Sequence, residues 1–94
     1  MNKQQMVERV AKASGITKKR AEKAVECVLV EVTESLARGE PVKFAGFGTF
    51  DVAFRHSRFG RNVVSGEQVM IPSRIVPVFR PGSLLKAAVQ EEKK

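Results

Sequence analysis

Between Phe54 and Ile75 four arginines, Arg55, Arg58, Arg61 and Arg74, stand against a single acid, Glu67. Guanidinium groups bind phosphate oxygens in pairs and fit a narrow, electronegative groove, so arginines recurring near every third residue suit a nucleic acid. The run Gly60-Arg61-Asn62-Val63-Val64-Ser65-Gly66 marks a turn. Val63 and Val64 at its tip are apolar and beyond reach of a core, as wedges that part stacked bases must be. On charge alone the segment could equally be a soluble, mobile loop. Its length decides, because an excursion of about twenty residues that buries little is uncommon without a binding role. Catalysis has no comparable candidate: Cys27 and His56 are each single, and no nucleophile, acid-base pair or metal-ligand cluster surrounds them. No enzyme activity, cofactor, metal or small-molecule substrate is expected. Cys27 reads as a small packing residue.

The whole chain leans the same way. Seventeen Lys and Arg against ten Asp and Glu give +7 over 94 residues, which points to DNA, RNA or an acidic membrane surface. Residues 1–40 hold eight basic and six acidic groups, residues 41–80 six and two, and residues 81–94 three and two, so the excess is densest around the arm. With 43% hydrophobic and 6% aromatic content, the chain makes one small domain with a modest core, and oligomerisation is the expected source of further burial. A lone cysteine allows no internal disulfide and fits a reducing cytosol. The N-terminus lacks an apolar signal region and no run approaches the roughly 18 apolar residues of a span, so neither secretion nor membrane insertion is expected.

The elements that position the arm follow from periodicity. Asn2 with Gln5 resembles a capping arrangement, and Met6, Val7, Val10 and Ala11 recur at helical spacing, predicting a helix over 3–13 that ends at Gly15. Thr17 caps a second helix over 18–38, with Ala21, Val25, Val28, Leu29, Val32 and Leu36 on one stripe and Cys27, Val30 and Ala37 opposite. Two apolar faces are what a dimer requires. Gly39 and Pro41 stop this helix. Val42 and Phe44, then Phe50, Val52 and Phe54, alternate with polar or small residues on either side of a Gly46-Phe47-Gly48 turn, predicting a hairpin with Phe44, Phe47, Phe50 and Val52 toward the helices. The second strand continues as the outgoing half of the arm, and Gln68–Ile71 with Ile75–Phe79 returns as a third strand. Pro72 and Pro77 belong at an edge, bulge or kink. Pro81-Gly82-Ser83 opens a last helix, Leu84–Val89, before a frayed polar tail. The fold class is α+β in a single domain, 1–94: a helical dimerisation region 1–40, a three-stranded antiparallel sheet 41–81 with its arm at about 54–75, a C-terminal helical segment 82–90 and a tail 91–94.

These residues carry a resemblance. Gly46-Phe47-Gly48-Thr49-Phe50, Gly60-Arg61-Asn62 with Gly66-Glu67, Ile71-Pro72 and Phe79-Arg80-Pro81-Gly82, in that order, resemble the HU and integration host factor (IHF) family of bacterial DNA-architectural proteins, without a gap from Met1 to about Val89. The resemblance implies an IHF-like intertwined homodimer or heterodimer with a helical base and saddle-like sheets. Its two β-ribbon arms would wrap the minor groove of double-stranded DNA. By position, Arg55, Arg58 and Arg61 correspond to groove and phosphate contacts, and Asn62 to the asparagine beside the family's wedge. Lys3, Arg80 and Lys86 correspond to body contacts with flanking phosphates, and the backbone at Gly46 and Phe47 to another. Phe47, Phe50 and Phe79 correspond to a shared aromatic dimer core, joined by Val28, Val32, Leu36 and Phe44.

The departures bear on mechanism. The family normally places a proline after this asparagine; here Val63 keeps an apolar wedge without the fixed backbone and rigid ring, so DNA binding is expected with a weakened or altered kink. Ile75 and Ser83 stand where many relatives are basic, and Arg74 can substitute for the former. Phe54 and Phe59 add aromatic bulk to an arm that is usually more polar. The function implied is that of a histone-like, nucleoid-associated cytoplasmic protein that bends and condenses DNA with little sequence preference. A sequence-preferring subunit of the IHF type and, from another class, a basic protein-interaction module are the alternatives. Lys18-Lys19-Arg20 is either a solvated face or a second DNA or dimer-dimer contact.

Overall fold

A computed structural model describes residues 1–92 as two compact units, Met1–Ser35 and a second from Leu36 onward. The first is a helical hairpin. α1 spans Lys3–Ser14, started by a complete capping box in which the Asn2 side chain accepts from the Gln5 amide at 2.9 Å and the Gln5 side chain accepts from the Asn2 amide at 3.0 Å. Gly15, at φ 67°, closes it in the left-handed conformation. α2 spans Lys18–Ala37, its last residues lying in the second unit, and Thr17 caps it by accepting from the Arg20 amide at 3.2 Å. Val7, Ala11 and Ala21 are buried, with Val10, Ile16 and Val25 packed around them. The α2 stripe is thus used only over its first half. Val28, Leu29 and Val30 remain exposed in the chain by itself.

The second unit continues with β1 (Val42–Phe44), β2 (Gly48–Arg55), β3 (Arg58–Arg61), β4 (Gln68–Ile71), β5 (Arg74–Pro81) and α3 (Ser83–Glu92). β1, β2 and β5 make an antiparallel sheet in that order, while β3 and β4 pair as a separate ribbon. The returning strand predicted as one element is therefore two. Pro72 has no N–H to give a ladder, and the chain leaves strand geometry at Pro72-Ser73 and opposite it at His56-Ser57. No residue is inserted. Arg55 pairs with Arg74 on one side of the break and Arg58 with Ile71 on the other, so the pairing register carries through. Pro77 sits opposite Val52 in β5, an edge strand, the place in a sheet where proline is tolerated. α3 runs longer than the predicted 84–89 and includes Gln90 and Glu91, which the sequence assigned to a frayed tail; residues 93–94 of that tail lie outside the described residues.

Alternation divides the sheet. Cross-strand partners share a face, so Val42, Phe44, Phe50, Val52, Phe54, Ile75, Pro77 and Phe79 stand on one side, and Lys43, Thr49, Asp51, Ala53, Arg55, Arg74, Val76, Val78 and Arg80 on the other, where the charged residues surround half-buried Ala53, Val76 and Val78. On the apolar side Phe50 and Phe79 have ring centroids 4.7 Å apart, with Phe47 5.6 Å from Phe79 and Phe44 6.2 Å from Phe50. Phe44, Phe47 and Phe79 nevertheless remain exposed, and no large side chain among the described residues is fully buried. The turn before β2 locks onto the start of α3: the Gly82 amide donates to the Phe47 carbonyl at 2.8 Å, and a Cβ on Gly82 would lie 2.7 Å from the Gly46 carbonyl oxygen. Phe47 and Gly82, 35 residues apart, thus meet backbone to backbone.

Candidate nucleic-acid interface

The ribbon tip is built around Asn62. Its backbone closes the hairpin, donating to the Glu67 carbonyl at 2.7 Å and accepting from the Gly66 amide at 2.8 Å. Its side-chain oxygen accepts from the Val64 and Ser65 amides at 2.9 and 3.1 Å, the geometry by which Asn and Asp hold a turn. Ser65 in turn accepts from the Glu67 amide, and the Arg61 guanidinium donates to the Gly66 carbonyl at 3.2 Å. Gly66 supplies the one left-handed residue the loop needs, at φ 75°. With the polar groups tied down, Val63 and Val64 project at 99% and 97% exposure. Asn62 therefore acts in the structure as a turn former, a role that its type and its place before two apolar residues could have indicated.

Below the tip the register sorts the ribbon into two sides. In the β3–β4 ribbon the Phe59–Met70 pair and Arg61 with Gln68 lie on one side, while Arg55 with Arg74 ends the basic face of the sheet. Arg58, Ile71, Gly60 and Val69 lie on the other side of the ribbon, opposite Arg61. Arg55 directly opposes Arg74, a like-charge pair that is unfavourable by itself and that a phosphate seated on both would relieve. Sequence spacing brings neither residue to the other, since nineteen positions separate them.

Of the other predicted contacts, Arg80 lies on the basic face but donates to the Asp51 carboxylate at 2.9 Å. The Val52 amide at 2.8 Å and the Arg80 guanidinium together hold the Asp51 carboxyl below its ordinary range. This pair was not visible in sequence, its members being 29 residues apart. The Phe47 amide donates to the Phe44 carbonyl and its carbonyl accepts from Gly82, so both backbone groups of Phe47 are engaged within the unit, next to Gly46 at φ 82°. Lys86 lies exposed on α3. In the first unit, Lys3 is exposed but paired with Glu26 at 3.2 Å, and Lys18 lies 3.9 Å from Glu8. Val32 is half-buried and Val28 exposed on α2, and Leu36 is half-buried. Among the described residues no helix is long and apolar enough to cross a membrane.

The family model described as bacterial DNA-binding protein matches residues 1–90. DNA-binding protein HU of Geobacillus stearothermophilus is 47% identical over 90 residues, 96% of this chain and 100% of the relative, and HU-beta of Salmonella typhimurium is 44% identical over 89 residues, 95% and 99% respectively. Among solved structures, an Anabaena HU–DNA cocrystal structure matches at a TM-score of 0.91 and 36% identity, covering 95% of this chain and 97% of that one. HU from Thermotoga maritima matches at 0.67 and 35%, covering 95% and 98%. With helices, sheet and arm all inside the matched region, the chain belongs to the bacterial DNA-binding protein family, as the HU-type, histone-like protein that its motifs led us to expect.

Proposed function

We propose that two copies of this chain form an intertwined, non-enzymatic dimer that clasps double-stranded DNA in the minor groove with its two arms. The dimer bends and compacts DNA at the bacterial nucleoid with little sequence preference. The observation that carries this reading is the division of the second unit's sheet into an aromatic face left uncovered and a basic face that extends into an arm. The uncovered Phe44, Phe47 and Phe79, with half-buried Phe50 among them, need a second apolar surface, and a self-complementary contact is the commonest way for a small chain to supply one. Val28, Val32 and Leu36 of α2 belong to the same interface. The basic face then meets DNA. Arg55, Arg58, Arg61 and Arg74 hold phosphates or line the groove, Lys3, Arg80 and Lys86 hold flanking phosphates, and Val63 with Val64 wedges at the base step that the tip reaches.

Binding to several unrelated duplexes of about 30 base pairs, read together with end-to-end fluorescence transfer, tests this reading. Affinities within a few-fold of one another, ends drawn together and a dimer mass by sedimentation are expected, because phosphate contacts carry no base information. Strong preference for one sequence would favour a site-specific subunit, and absence of binding at low salt would favour a protein-interaction module.

A further inference from the structure

Phe59 and Met70 oppose each other on the ribbon and are 65% and 55% exposed. On the opposite side of the same ribbon, Ile71 lies over Gly60, where a Cβ would come within 2.6 Å of the Ile71 Cδ1, and Ile71 is half-buried. The ribbon thus folds one apolar side chain onto itself and leaves the other pair open. That open pair sits between charges along the arm: Arg61 lies on the same side one cross-strand step toward the tip, and the Arg55–Arg74 pair lies four residues toward the sheet, beyond the break at 56–57 and 72–73. At about 3.3 Å per residue, the apolar pair lies roughly 7 Å from Arg61, and the arginine pair lies farther off toward the sheet. Along a nucleic-acid strand advancing about 3.4 Å per nucleotide, the flanking arginines span several phosphates. What lies between two phosphates on a groove wall is the sugar.

We propose that Phe59 and Met70 seat on the sugars of the groove wall and make the arm selective for deoxyribose over ribose duplexes. This rests on the DNA-binding reading above. The apolar face of a deoxyribose accepts an aromatic ring and a thioether, whereas ribose places a 2′-hydroxyl in the minor groove and widens it. Neutral contacts release no counterions, so the contribution persists at high salt, unlike that of the arginines.

The test compares a DNA duplex with an RNA duplex of the same sequence over a salt series, for the full chain and for the Phe59→Ser/Met70→Ser and Phe59→Leu variants. The double serine variant loses about tenfold on DNA, the equivalent of one exposed aromatic left unburied, with an unchanged log-log salt slope and less than about twofold change on RNA. Phe59→Leu retains the apolar contact and stays near the parent. Equal losses on both duplexes, an unchanged DNA affinity, or a change confined to oligomeric state would overturn the assignment. If the unaltered chain binds neither duplex at low salt, the DNA-binding reading fails with it; if it binds DNA and the serine variant matches it, only the sugar contact is wrong.

Discussion

At the scale of single residues, the basic face is restrained by its own acid. Asp51 holds Arg80 and places a negative charge among Lys43, Arg55 and Arg74, so a phosphate approaching Arg80 must displace or share that carboxylate. Asp51→Asn is expected to strengthen DNA binding and to steepen the log-log salt slope by about 0.9, one further phosphate engaged. The sign with pH follows from the lowered carboxyl: its contribution to folding is present above the ordinary value of 3.8 and is lost as pH falls through the depressed one. In acid unfolding the Asn variant therefore shows a weaker pH dependence below about pH 4 than the parent. At the tip, the Val63 amide makes no hydrogen bond among the described residues, so Val63→Pro removes no donor that the turn uses. A rigid ring there should sharpen the kink, read as higher fluorescence transfer across a short duplex. An unchanged bend would mean that the tip does not wedge.

At the level of elements, the junction of the Gly46-Phe47-Gly48 turn with the start of α3 is an unforgiving contact, because both partners are backbone. Gly82→Ala would put a methyl 2.7 Å from the Gly46 carbonyl oxygen, and neither side is a side chain that could turn away. Overpacking of this kind costs about 1–3 kcal/mol, measurable by denaturant unfolding. The two glycine motifs were legible in the sequence, and their meeting was not, since only the fold brings residues 46 and 82 together. The helices show the same boundary between what is local and what is not. Asn2, Gln5, Gly15 and Thr17 act within three or four residues and mark helix ends on inspection. Arg55 opposite Arg74, Phe59 opposite Met70 and Asp51 beside Arg80 depend on strand register, which alternation alone leaves undefined. Pro72 was readable as a ladder breaker, but not as a break that keeps the register intact.

As a whole molecule, one small chain carries two unsatisfied surfaces: aromatic side chains without cover, and a basic face with too few acids of its own. In the proposed dimer a second copy would cover the first, and a polyanion would meet the second. The chain's +7 would be doubled in a dimer, so counterion release should dominate affinity whatever the DNA sequence. The most direct test is the equilibrium constant for a random DNA duplex measured across a salt series. If a dimer engages about eight phosphates, the log-log slope is on the order of −7. A binding constant indifferent to salt would contradict the assignment of this face and its arms to DNA.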